Sequence, residues 1–157
     1  MNSFRYYTDT KIEYELAIKR LETLKDRKMV IWQKYFGVKS PNWDKIGAQG
    51  SRDDSDKMVR YLAEISRSKD GFPSIEDEIA ELKKEAQKLK KTLQRMETQL
   101  ADTESVEGKL YYLIVVKKYS VNGAVKHIAE TEYMSEANVW KTYYPRIKTE
   151  IRKLRLK

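Results

Sequence analysis

Cysteine is absent from the 157-residue chain, and histidine occurs once, at His127. Without a thiol there is neither a disulfide framework nor a thiolate metal site. A lone imidazole cannot build a multi-histidine centre. Glycine and proline are sparse, at six and three residues, so few positions interrupt a helix. The longest apolar run, Leu110 to Val116, falls far short of the roughly 20 residues that span a bilayer. Met1-Asn2-Ser3-Phe4-Arg5-Tyr6-Tyr7 lacks the apolar core of a signal peptide, and there is no Gly-rich phosphate loop. The expectation is an all-α protein of the reducing cytoplasm with one or two small domains, no cofactor, no metal and no membrane span.

What the chain does have is charge, unevenly placed. Lys and Arg number 32 against 24 Asp and Glu, a net +8. From Val106 to Lys157 there are 11 against 5, while Ile75 to Ser105 has 6 against 8 and the first 74 residues 15 against 11. The basic excess is therefore concentrated at the carboxy-terminal end. Arg146, Lys148, Arg152, Lys153, Arg155 and Lys157 crowd one stretch, where they can neutralise backbone phosphates and make affinity fall steeply with salt.

The same end carries a pattern. His127 to Val139 reads as a short helix, a tight turn and a second helix led by serine. Two helices crossing steeply need a small residue where they touch and a β-branched residue that locks the second one down. Ala129 and Val139, ten apart, fit those places. Ile128 and Met134 supply apolar contacts, and Ser135 offers an oxygen to a backbone N–H of the next helix. That helix then begins at Glu136, with Glu136, Asn138, Lys141 and Thr142 polar and Val139 and Tyr143 inward.

An exposed polar face at the start of such a helix is what reads base edges in the major groove. The expected DNA-binding residues are Glu136, Asn138, Lys141 and Thr142 toward bases and Lys126, Arg146 and Lys148 toward phosphates. Asn138 suits adenine, since its amide bonds in a bidentate way. Trp140 is read as a core anchor rather than a stacking platform, and His127 as a partly exposed helix residue near the DNA. Tyr133 stands where a left-handed backbone commonly favours glycine, which costs about 1–2 kcal/mol for another residue, and Glu132 where leucine is common. Pro145 must kink or restart the helix, so the recognition helix is expected to end near Tyr144. An ordinary helical hairpin without a DNA role is the competing reading.

Upstream, the pattern predicts a long helix from Thr8 or Asp9 to Phe36, with Tyr14, Ala17, Leu21, Leu24, Ile31 and Tyr35 on one face, Lys28 interrupting them and Gly37 ending the helix. Residues 37–53 read as a loop in which Trp43 and Ile46 tuck under a neighbour. A helix from about Asp54 to Ser66 follows, with Met58, Leu62 and Ile65 inward. Ser74 and Asp77 resemble a capping arrangement for the clearest periodic segment, Ile75, Ile79, Leu82, Ala86, Leu89, Leu93, Met96 and Leu100. With Ile79 at heptad position a, Glu78 and Glu85 stand at g and Lys83 and Lys90 at e, which suits a parallel homodimer. An antiparallel hairpin with the first helix is slightly favoured over it. A helix within Ser105 to Tyr119, inward at Leu110, Leu113 and Val116 or Lys117, and a short one opened by Gly123 over Ala124 to Glu130 complete the series. The division expected is 1–104, a helical hairpin or coiled-coil region, and 105–157, the helix-turn-helix domain.

From Leu110 onward the order of features resembles region four of bacterial sigma factors, through Ile128-Ala129-Glu130 and Tyr133-Met134-Ser135-Glu136-Ala137-Asn138-Val139. Tyr133, Glu132 and Pro145 depart from that pattern. The whole layout resembles small phage-encoded regulators of the ArpU/RinA type, from phages and prophages of Gram-positive bacteria. Gln49-Gly50-Ser51-Arg52-Asp53-Asp54 followed by Met58 is similar to their loop and Met-bearing helix. The resemblance covers most of the chain in layout, but specific residues only at Gly50 to Met58 and Leu110 to Val139. It implies control of late phage genes from a promoter region, at the nucleoid of a bacterial host.

The expected function is thus sequence-specific transcriptional regulation, as an activator. Double-stranded DNA is the partner, with host RNA polymerase and a second copy of the chain as candidates. The alternative is a phage terminase small subunit, which joins a helix-turn-helix to a helical oligomerisation segment. Catalysis is not expected: a tyrosine recombinase would find tyrosines here, but it needs several arginines and a histidine around the scissile phosphate, and His127 lacks the arginine that follows in such enzymes.

Overall fold

The computed structural model describes residues 3–37, 52–68 and 71–155. Among them the secondary structure is all helix, with no strand. The elements are α1 (Ser3–Phe36), α2 (Arg52–Ser66), α3 (Ile75–Ala101), α4 (Val106–Tyr111), α5 (Val121–Thr131), α6 (Glu136–Asn138) and α7 (Tyr144–Arg155). Wider π-helical turns, Tyr112–Val116 and Val139–Tyr143, continue α4 and α6 without a break. Trp43, Ile46 and the loop sequence Gln49 to Ser51 lie outside the described residues.

Two compact units form, one of Met1–Glu15 with Lys88–Lys157 and one of Leu16–Gln87. They cut across the division at 104/105, because the first turns of α1 and the last of α3 belong with the carboxy-terminal helices.

In the unit Leu16–Gln87 the two apolar stripes are used against each other. Ala17, Leu21 and Leu24 of α1 and Ile79, Leu82 and Ala86 of α3 are buried. Lys28, the interruption in the α1 stripe, ion-pairs with Glu76, so the end of α1 lies against the start of α3 in an antiparallel hairpin. Glu78 and Glu85, the g-position carboxylates, line a groove of about 480 Å³ with Arg20 and Arg27 of the same chain. Ser74 caps α3 as expected, its Oγ accepting the Asp77 N–H at 3.2 Å. Gly37 ends α1 in the left-handed conformation, at φ +82°, with its N–H bonded to the Gln33 carbonyl at 2.9 Å.

The inward face of α2 differs from the expected one. Leu62 is 45% exposed, whereas Tyr61 and Ile65 are buried and Met58 is half-buried. The reason is aromatic packing. Trp32 stacks on Phe36 with centroids 4.1 Å apart and meets Tyr61 edge-on at 5.1 Å, while Phe36 reaches the same ring at 6.4 Å. Such pairs add about 0.5–1.5 kcal/mol each beyond area burial. Turning α2 to present Tyr61 places Leu62, one residue on, about 100° away.

In the other unit α1 begins at Ser3 rather than at Thr8 or Asp9. Phe4 and Tyr7 join the core, so the helix must already be formed there. Thr8 does not cap anything: it is fully buried. Its hydroxyl bonds back to the Phe4 carbonyl at 2.9 Å and meets the Tyr111 hydroxyl at 2.6 Å. The Tyr111 ring lies 5.5 Å from Phe4 and, edge-on, 6.1 Å from Tyr7, and Tyr7 donates to Glu97 Oε1 at 2.7 Å. Burial, then the Glu97 bond, pushes the Tyr7 hydroxyl well above its ordinary value, and burial does the same to Tyr111. Both rings are neutral anchors.

Two serine caps set up the remaining helices. Ser105 Oγ accepts from the Gly108 N–H at 3.1 Å, and α4 then buries Leu110, half-buries Leu113 and Val116 and leaves Lys117 exposed. Ser120 Oγ accepts from the Gly123 N–H at 3.1 Å, so α5 starts at Val121. Gly123 lies inside the first turn instead of opening the helix, and the helix runs on to Thr131. No helix among the described residues is long and apolar enough to cross a membrane.

Candidate nucleic-acid interface

The helix, turn and second helix stand where the sequence placed them. Glu132 N–H closes α5 on the Ile128 carbonyl at 2.9 Å, and Met134 N–H reaches the Ala129 carbonyl at 3.0 Å. Ser135 is extended, and its Oγ accepts the Asn138 N–H at 3.2 Å, which satisfies one of the four orphan donors of the new helix. Ile128, Ala129 and Val139 are buried together in the core. Tyr133 occupies the left-handed region at φ +52° and is 96% exposed. Its ring contributes nothing to the fold while its backbone carries the cost. Tyr133→Gly is therefore expected to raise stability by about 0.5–1 kcal/mol, the relief of the left-handed penalty less the added unfolded-state entropy of glycine. Chemical denaturation reads this directly, and a loss of stability would show that the turn is not strained at Tyr133.

Glu132, where leucine is common, finds another use. Its carboxylate ion-pairs with Lys109 of α4 and is half-buried. A charge-assisted bridge thus ties the turn to the supporting helix where an apolar side chain would otherwise pack.

The second helix does not end near Tyr144, as expected, but continues as α7 to Arg155. Val139, Tyr143, Ile147 and Ile151 recur every four residues, and at about 100° per residue each step of four drifts about 40° around an α-helix. The π-helical turn takes up that drift. Tyr144 N–H bonds to the Val139 carbonyl, five residues back, and Val139, Ile147 and Ile151 all remain buried. Pro145 then falls at the start of α7, where its missing N–H does least harm. Such turns recur at functional sites.

Flanking this buried stripe, Glu136, Asn138 and Lys141 are exposed and Thr142 is half-buried. Thr142 Oγ1 donates to Asn138 Oδ1 at 2.9 Å, and Asn138 Nδ2 lies 4.0 Å from Met134 Sδ. The amide is held at its oxygen, which keeps a second lone pair, while Nδ2 still has donors to spend. This is compatible with bidentate contact to a base edge.

The chain matches no family model, no curated protein and no solved structure.

The basic residues expected to face phosphates divide into two kinds. Lys126 and Lys148 are exposed, as are Arg152 and Arg155, and none has a carboxylate partner among the described residues. Arg146 is held: it ion-pairs with Glu107 of α4, and its guanidinium lies 5.7 Å from the Tyr143 ring centroid. Lys153 is likewise held, by the buried Glu150 at 3.0 Å. Sequence reading missed these internal partners because they lie far apart in the chain or were counted only as net charge.

Trp140 is not the core anchor that was expected. It is 36% exposed, its ring edge-on to Tyr144 at 5.0 Å, since it follows the buried Val139 by one residue and so points about 100° away from the core. His127 is exposed, 6.0 Å from the Tyr119 ring. Among the described residues no group of three or more His, Asp or Glu lies close enough to hold a metal ion.

Proposed function

We propose that this chain is a sequence-specific double-stranded-DNA-binding regulator, with α6 and the π-helical turn as its reading element. The observation that carries the reading is the exposed polar face Glu136, Asn138, Lys141, capped by Ser135 and continued on the same helix by the exposed basic side chains Lys148, Arg152 and Arg155. Base-edge donors and acceptors specify, and the lysines and arginines beside them position the protein on the backbone. The resemblance to ArpU/RinA-type regulators extends this to activation of late phage genes in a bacterial cell, with host RNA polymerase as a further partner. A terminase small subunit would use its helical part for a ring; here the apolar faces of α1 and α3 are used within the chain, which favours the regulator.

The test compares two substitutions on a duplex containing a selected site. Asn138→Ala is expected to cost about 1–3 kcal/mol of discrimination against a single changed base pair while leaving affinity for unrelated duplex nearly unchanged; Lys148→Ala, at a side chain expected to meet phosphate, weakens both alike. If Asn138→Ala leaves discrimination intact, direct readout by this face is wrong.

A further inference from the structure

We infer that Glu107 is an internal competitor for DNA phosphate, holding Arg146 in a bound-like state and setting how tightly and how salt-sensitively the recognition helix engages DNA. The inference rests on the DNA-binding reading above. It starts from a contrast within one helix. Lys148, Arg152 and Arg155 stand in solvent without a carboxylate partner among the described residues, while Arg146 is paired with Glu107. The pair joins α4 to the reading helix, 39 positions apart in sequence.

The two sides of the pair are unequal. The Glu107 side chain is 19% exposed and that of Arg146 is 58% exposed. The carboxylate is therefore fixed in the first turn of α4, where the helix dipole favours a negative charge, and the guanidinium reaches in from solvent. The Tyr143 ring beside it limits where the guanidinium can go. A carboxylate and a phosphate both present oxygen pairs that match the planar fork of an arginine. An approaching phosphate thus finds Arg146 already ordered, but it must displace Glu107 or share the guanidinium with it. Meanwhile the half-buried carboxylate repels the DNA backbone. The other paired carboxylates near the reading helix differ: Glu132 is bonded to Lys109, which is not expected to meet DNA, and Glu150 holds Lys153 three residues on in the same helix, so neither joins a second helix to a basic side chain of the reading helix.

Four proteins settle the matter: wild type, Glu107→Gln, Arg146→Gln and the double variant, titrated with a fluorescein-labelled mixed-sequence duplex at several KCl concentrations, with thermal melting to verify folding. Glu107→Gln is expected to bind about fivefold tighter at low salt, the size of a half-exposed ion pair expressed as affinity. The slope of log affinity against log salt steepens by up to about one, as for one more phosphate neutralised without an internal carboxylate to compensate. In the Arg146→Gln background the same change should give little or no gain. Equal or weaker binding by Glu107→Gln overturns the inference, because the pair then only braces α4 against the helix. A full gain without Arg146 overturns it too, since general charge would suffice. If the wild type binds no duplex at all, the DNA-binding reading itself fails, an outcome distinct from both.

Discussion

Replacing Tyr111 with alanine is expected to cost about 3–5 kcal/mol and to unfold the unit that carries the reading helix. That loss is comparable with the whole stability of many small domains. The ring is fully buried and sits among Phe4 and Tyr7 of α1, and its hydroxyl meets Thr8 in the same helix. Removing it opens a cavity between α1 and α4 at the centre of the core on which Val139 and Ile147 also pack. Tyr111→Phe keeps the packing and loses one buried hydrogen bond, about 1 kcal/mol. Thr8 retains its own bond to the Phe4 carbonyl. Chemical denaturation of the two variants separates ring from hydroxyl. A loss below about 1 kcal/mol for the alanine variant would mean that α1 is not part of this core.

DNA affinity is expected to fall by about 150-fold between 50 and 200 mM KCl. Lys126, Lys148, Arg152 and Arg155 are exposed and free of carboxylate partners among the described residues. With about four phosphates neutralised, log affinity falls with log salt at a slope of about −3.6. Each substitution of these side chains by glutamine should lower that slope by about one. A wild-type slope near −1, measured by anisotropy on a labelled duplex, would show that the basic stretch is merely a solvated face.

Much of this architecture was legible because it is written in local periodicity. The α3 stripe, the Ser135 cap, the pairing of Ala129 with Val139 and the left-handed Tyr133 all depend on residues within a few turns of one another, so spacing alone exposes them. What escaped reading depends on partners distant in sequence. Nothing near Thr8 says that its hydroxyl will meet Tyr111, 103 positions on, and so a buried hydrogen-bonding residue inside the helix reads as the place where the helix begins. Tyr61 rather than Leu62 faces inward because Trp32 and Phe36 present rings to it, a choice that hydropathy does not resolve. The continuation of the reading helix through Pro145 was missed for another reason. Pro145 predicts a kink or a restart, whereas the wider turn over Val139–Tyr143 sets the proline at the start of α7 and keeps Val139, Ile147 and Ile151 buried on one side. Of the expected site residues, Glu136, Asn138, Lys141 and Lys148 are exposed along the second helix, Lys126 is exposed on α5 and Thr142 is half-buried, while Arg146 has a partner, Glu107, that only the folded chain reveals.

The most direct test of the central claim is selection of bound sequences from a random pool of double-stranded DNA, run with wild type and with Asn138→Ala in parallel. A recurring motif enriched by the wild type and blurred at one or two positions by the variant is the predicted outcome. Retention of duplex with no motif in any round would contradict it, leaving a basic helical protein that holds DNA without reading it.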